Sequence, residues 1–223
     1  MVRDMRPIVW YEGRTSIDLV QGADWAWIGL RSGDGLNRLH SDLLLALDHL
    51  FIDLRWSGIQ RVALSGAGWM TGRGHHFSAG ADLHEVGSLD AISAEPFSRR
   101  GQRVMSHLVW PGWRSLTLIS GVAMGGGCDL ALHGQERWAV AGDPATGKGG
   151  LRIAHPAAKH GILTGFGGTF RLPEILGQDG AERLFRNFET WDEAAALESG
   201  AVHRVLEPTL VHPEVIGWLG THN

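Results

Sequence analysis

The stretch SGVAMGGGCDLAL, residues 120–132, decides how the rest of the chain is read. It follows the apolar run Ser115–Ile119, and the pattern predicts a buried strand, a glycine turn and the first turns of a helix, with Asp129 near the helix start. Gly125, Gly126 and Gly127 let a backbone N–H face outward at that helix N-terminus, where the partial positive charge favours a bound or developing anion. Such a turn is half of an oxyanion hole. Glycine content alone fits a tight packing turn equally well, so a partner for it has to be sought elsewhere in the chain.

On the N-terminal side, Pro7–Tyr11 and Trp25–Leu30 are short apolar or aromatic runs separated by polar, glycine-bearing sequence, the pattern of an opening hairpin. Leucines at 43, 44, 47, 50 and 54 recur at helical spacing, with Ser41 as the expected N-cap and Gly58 as the stop. IQRVALSG then closes a strand, helix, strand unit. GAGWMTGRGHHFSAGADLHEV is a glycine-rich loop leading into a short helix; its GAGWMTG fits a dinucleotide fingerprint only loosely, because Thr71 stands where the third glycine belongs, and it is read as a loop. Residues 93–108 are amphipathic and read as a helix that Pro111 and Gly112 end.

On the C-terminal side, Glu136–Ala141 reads as a strand and GDPATGKGGLRIAHPAAKHGILTGFGG as a long glycine-rich stretch of weak periodicity. RLPEIL and DGAERLFRNF read as two short helices. TWDE at Thr190–Glu193 is a capping box opening the helix DEAAALESG, Gly200 ends that helix, and AVHRVLE is a last short strand. Alternating strands and helices imply an α/β layered domain with a largely parallel sheet. The expected organisation is one core over residues 1–207 and a short C-terminal tail over 208–223.

Composition narrows the classes. The net charge of -4, the pI near 6.3 and the lack of a Lys/Arg cluster argue against a nucleic-acid surface. No apolar run approaches the ~20 residues of a membrane span, and MVRDMRPIVW lacks the apolar segment of a secretion signal, so a cytoplasmic protein without a membrane partner is expected. The single Cys128 excludes an internal disulfide framework and a cysteine-based zinc site; the twelve histidines show no pair at metal spacing, and no metal is expected.

Two segments carry a family resemblance. FSAGADLHEV at 77–86 and ISGVAMGGGCDLAL at 119–132 resemble the two signature loops of the crotonase, or enoyl-CoA hydratase/isomerase, superfamily. GFGGTFRLPEILG at 165–177, LESGAVHRV at 197–205 and GLNRL at 35–39 support it, so that the likeness runs over residues 8–207 in the family's order. The resemblance implies a crotonase-like ββα superhelix that assembles into homotrimers, often paired into hexamers, here with a shortened C-terminal helical region. It implies an oxyanion hole made by the backbone N–H groups of Ala81 and Gly126, gripping a thioester carbonyl oxygen as it becomes an enolate. Ser78, Ala79, Gly80, Asp82 and Leu83 would line the site for the pantetheine and adenine of coenzyme A. CoA would enter as part of the substrate, with no tightly bound cofactor.

The sequence departs from this pattern in its acid/base residues. Hydratases of the family carry two glutamates; the first position is Asp129 here, and an ungapped count back from GFGGTFRL puts Pro156 and Ala157 on the second, so the second carboxylate is missing. His155, Lys159 and His160 flank that position, and His75 and His76 precede the first loop; a histidine is a competent base near neutral pH. A short insertion centred on TGKGGLRI lies between Arg137 and Pro156, and the chain stops short of the family's C-terminal helices, from which an acyl pocket more open, or completed by a neighbour, is expected. The expected activity is enolate stabilisation in a CoA-linked or carrier-linked acyl thioester, of hydratase/isomerase or related lyase type, with Asp129 as acid/base helped by His155 or His160. The rivals are a carbon-carbon hydrolase of a β-diketone and a non-catalytic accessory subunit of the same fold. GDPATGKG at 142–149 fits a phosphate-binding loop except that Gly149 stands where magnesium needs a hydroxyl.

Overall fold

The computed structural model describes residues 6–9, 14–71, 76–142 and 149–220. The chain opens with an antiparallel meander of β1 (Arg6–Val9), β2 (Ser16–Gln21) and β3 (Trp25–Arg31). The expected hairpin therefore has an extra strand, β2. Asp18 masks it in the sequence, yet in the fold Arg31 of the neighbouring strand donates to both Asp18 carboxylate oxygens at 2.7 and 2.8 Å, which pays for burying the acid. Next comes α1 (Ser41–Trp56), which buries Leu43, Leu44, Leu47, Phe51 and Leu54 along one stripe. Its cap is His40 rather than Ser41: His40 Nδ1 accepts the Leu43 N–H at 3.2 Å, and its Nε2 lies 3.1 Å from the Thr15 carbonyl. Gly58, at φ +78°, turns the chain out of the helix.

β4 (Arg61–Gly66) is followed by a 3-10 turn at Ala67–Thr71, then α2 (Leu83–Ser88) and α3 (Ala94–Leu108). The central stretch forms β5 (Arg114–Ile119), β6 (Val122–Met124) and α4 (Gly126–His133). β7 (Glu136–Val140), β8 (Arg152–Ala154), a 3-10 turn at Pro156–His160 and α5 (Gly168–Phe185) follow. Gly177, at φ 70° and ψ 172°, breaks α5 where the sequence divides it into two helices. The chain finishes with β9 (Thr190–Trp191), α6 (Glu193–Glu198), β10 (Arg204–Leu206), a 3-10 turn at Pro208–Leu210 and α7 (Val211–Gly220). The α6 cap is Asp192, whose carboxylate accepts the Ala195 N–H at 2.9 Å, so Thr190 is free to serve as a strand residue.

The main sheet runs β1-β2-β3-β4-β5-β7-β10, and β3, β4, β5, β7 and β10 are parallel to one another. A smaller sheet, β6-β8-β9, pairs β6 parallel to β8 and β9 antiparallel to it. One face of the main sheet is covered by α1 and α3; the other carries Trp27 and Trp138, which cluster with Trp69 of the 3-10 turn and with α7. The segment set apart in the sequence as a tail is thus, over Pro208–Gly220, part of the packing: Val211, Val215, Trp218 and Leu219 share one helical face and are buried in that second cluster. In LESGAVHRV, the carbonyls of Gly200 and Ala201 accept from the buried Arg137 guanidinium at 3.1 and 2.7 Å, tying β7 to the turn before β10. Among the described residues no helix is long and apolar enough to cross a membrane.

Candidate active site

β5 leads to Gly121, at φ +54°, which redirects the chain into β6 and so out of one sheet and into the other. A strap, residues 76–82, runs alongside β6: Ser78 N–H donates to Val122 O at 2.9 Å and Met124 N–H to Ser78 O at 3.0 Å. Its other edge is held by the segment GLNRL, with Ala79 N–H on Leu36 O at 2.7 Å and Leu39 N–H on Gly80 O at 2.8 Å. Buried Asn37 adds a side-chain bond to the His76 carbonyl at 2.8 Å, and its own carbonyl accepts the Ser78 hydroxyl at 2.7 Å. The strap is therefore fixed by main-chain bonds on both sides.

That fixing brings two backbone segments together. Gly80 has φ +95°, and a Cβ on it would fall 2.4 Å from Met124 O and 3.2 Å from Gly126 N. A Cβ on Gly126 would lie 3.6 Å from Ala81 N. The nitrogens of Ala81 and Gly126 thus border one small space at the N-terminus of α4, and no acceptor for either N–H occurs among the described residues. Adjacent unsatisfied donors at a helix N-terminus suit an anion or an oxygen gaining negative charge.

Asp129 stands three residues after Gly126, on the same face of α4, and its side chain is wholly buried. The Thr164 hydroxyl donates to Oδ2 and accepts the Phe166 N–H at 3.2 Å. His155 Nε2 lies 3.2 Å from Oδ1, within ion-pair distance but out of line for a hydrogen bond. Both atoms are buried without a hydrogen-bond partner among the described residues. The His155 ring is braced by Phe185 at a centroid distance of 4.5 Å. A Cβ on Gly168 would fall 1.9 Å from Oδ1; glycine there is what leaves room for the carboxylate. His133 Nδ1 lies 2.6 Å from the Asp129 carbonyl, which accepts from the ring N–H, and burial lowers the His133 pKa. Burial, helped by the Asp129 charge, pushes the Cys128 thiol well up and leaves it inert.

The structure therefore gathers Ala81, Gly126, Asp129 and His155, and leaves His160 apart, exposed at the end of the Pro156–His160 turn. Ala157, at the position of the family's second carboxylate, is half-buried in that turn. His76 Nδ1 accepts the Val122 N–H at 3.3 Å and so braces the strap, while His75 lies outside the described residues. Of the residues expected to face CoA, Ser78 spends its hydroxyl on Asn37 O and Gly80 N–H, and Asp82 caps α2 by accepting His84 N–H at 3.0 Å. Ala79 and Gly80 form the strap's main chain, and Leu83 projects with 72% exposure. The phosphate-loop-like stretch lies outside the described residues over 143–148; its flanks are clasped by Glu193, which accepts Gly142 N–H at 2.8 Å and Leu151 N–H at 3.0 Å. Among the described residues no group of three His, Cys, Asp or Glu is arranged to hold a metal ion. Thr164, Phe166 and Gly168 are additions that the sequence reading did not single out.

The family model described as enoyl-CoA hydratase/isomerase matches residues 64–221. The chain is 31% identical over 175 residues to the short-chain-enoyl-CoA hydratase of Clostridium acetobutylicum, an alignment covering 78% of this chain and 62% of that protein. Among solved structures, Pseudomonas aeruginosa DspI superposes with a TM-score of 0.79 at 27% identity, over 91% of this chain and 72% of the other. The enoyl-CoA hydratase of Bacillus anthracis, at 24% identity, shares the fold with a TM-score of 0.78 over 92% and 75% of the two chains. The chain spans a little under two thirds of the length of the curated relatives from Clostridium and Syntrophomonas, 62% and 65%.

Proposed function

Since the chain belongs to the enoyl-CoA hydratase/isomerase family, we propose that it acts on an acyl thioester of coenzyme A and stabilises the enolate that forms when a proton leaves the α-carbon and is consumed when a proton returns to it. The Ala81 and Gly126 N–H groups hold the thioester oxygen as charge develops on it; one such donor is worth ~3 kcal/mol in the transition state. Asp129 exchanges the α-proton, a role that contributes ~10²–10⁴-fold when the group is positioned as acid/base. His155 beside Oδ1 relays that proton in place of the family's second carboxylate. The reaction is of hydratase/isomerase type. Residues 78–83, from the strap into the start of α2, take the pantetheine arm, and family membership supports a cytoplasmic homotrimer or hexamer.

The observation that carries this reading is the approach of Ala81 N to Gly126, with Asp129 one helical turn further on. Calorimetric binding and turnover of a panel of crotonyl-, butyryl- and malonyl-type CoA esters test it. Binding of at least one class with turnover of its unsaturated member is expected. A panel neither bound nor turned over refutes it.

A further inference from the structure

Phe166 stands between the paired donors and a separate cleft of about 550 Å³. Its ring fits between two glycines on different helices. A Cβ on Gly101 of α3 would fall 2.0 Å from its Cδ1, and one on Gly126 would fall 2.7 Å from its Cδ2, so opposite edges of the ring rest on bare main chain. Phe97, one turn before Gly101, holds the ring at a centroid distance of 5.3 Å, and Phe166 keeps only 3% of its surface exposed. Its N–H is bonded to the Thr164 hydroxyl oxygen, the group that also holds Asp129, so the position of the ring is tied to that of the carboxylate. On the far side lies the cleft, bordered by Ser98, Gln102, His133, Phe170 and Arg171.

Thr164 holds Asp129 and Phe166 packs against Gly126, so the Thr164–Phe166 segment walls the space that a thioester between the donor pair and the carboxylate would enter. Resting on the function proposed above, we infer that Phe166 is a stopper that restricts the site to short acyl groups and shuts it off from a cleft large enough for a longer chain. The two glycines are what admit the stopper. Each methylene that finds an apolar berth tightens binding about fourfold, so the ring's removal has a measurable signature.

The test is the dissociation constant of saturated butyryl-, hexanoyl-, octanoyl- and dodecanoyl-CoA, measured by calorimetry for the wild-type protein, Phe166→Ala and Phe166→Leu. The wild type is expected to bind butyryl- or hexanoyl-CoA best. In Phe166→Ala the preference for dodecanoyl- over butyryl-CoA should rise at least about tenfold, with Phe166→Leu between the two. A profile unmoved by either substitution, with short esters still bound, overturns the stopper and leaves the proposed function standing. Absence of binding by every ester overturns both. Should neither variant fold, the wild type decides alone: a preference for dodecanoyl- over butyryl-CoA overturns the inference and the opposite preference supports it.

Discussion

The strap at 76–82 and the stretch at 152–168 meet the same helix end from two sides, and they are made of different materials. On the strap, main-chain bonds run along both edges: Phe77 and Ser78 with the 120–124 segment, Ala79, Gly80 and Asp82 with residues 36–39. In the second stretch the contacts that matter are side chains: the Thr164 hydroxyl on Asp129, the His155 ring beside it and Phe166 wedged between glycines. The backbone side presents two N–H donors of the kind that suit an oxygen, and the side-chain side presents a buried carboxylate beside a histidine. Chemistry of the proposed kind needs both. It follows that the first region tolerates almost no change at its glycines, whereas the second can be altered in graded steps.

Substitutions turn that contrast into numbers, and the largest effect is expected at Gly80. Gly80→Ala puts a Cβ 2.4 Å from Met124 O at φ +95°, and a loss of about 3 kcal/mol or more is expected in denaturant unfolding. Gly35, also left-handed at φ +72° but with nothing within 4 Å of its would-be Cβ, is the control: Gly35→Ala should cost only about 1–2 kcal/mol. Equal losses at the two sites would break the claim that the strap depends on close backbone approach.

Next comes Gly168→Ala, whose Cβ would occupy the place of Asp129 Oδ1. Displacing the carboxylate should lower turnover of the preferred ester about 10²-fold with a loss of roughly 2 kcal/mol in stability, read by steady-state kinetics and urea titration. Thr164→Val keeps the shape but removes the hydroxyl, leaving a buried carboxylate with one partner fewer. A stability loss of about 1–3 kcal/mol and a smaller fall in turnover than for Gly168→Ala are expected. A Thr164→Val protein as active and as stable as wild type would show that the hydrogen bond does not position Asp129.

The smallest expected effect is on pH dependence. Burial holds His133 below its ordinary value of 6.5, so below that pH the unfolded chain binds the proton more readily and folding stability falls as pH drops. His40, His107 and His203 are also lowered, each mainly by burial, and act in the same direction. The melting temperature should therefore be lower at acidic than at neutral pH, and His133→Asn should flatten the slope. A melting temperature that rises on acidification would contradict this.

The same contrast explains what could be read from the sequence. Strap and turn are legible there because glycines at 80, 125 and 126 mark positions where conformation or space forbids a side chain, and a local signal reports a local need. The strand, turn, helix order of residues 115–133 and the helix at 94–108 follow for the same reason, from short-range periodicity. β2 is hidden because Asp18 reads as solvated until Arg31 is placed beside it. The caps at His40 and Asp192 depend on which side chain turns back to the helix, and the sequence offers Ser41 and Thr190 as equally plausible acceptors. The proton-handling side is the least legible. Thr164 and Asp129 are 35 residues apart with no periodicity linking them. His155 and His160 flank the same turn and are alike on paper, yet the fold buries the first against Phe185 and leaves the second in solvent. Phe166 lies inside a recognisable motif, but its role depends on Gly101, which no local pattern connects to it.

The most direct test of the account is exchange of the α-hydrogens of butyryl-CoA with deuterium from D₂O, followed by mass spectrometry, in wild type and in Asp129→Asn. This readout reports enolate formation whichever overall reaction the enzyme completes. The wild type should incorporate deuterium, and Asp129→Asn should do so ~10²–10⁴-fold more slowly while still binding the ester. Exchange by Asp129→Asn at the wild-type rate, or no exchange by a wild-type protein that binds the ester, would contradict the account.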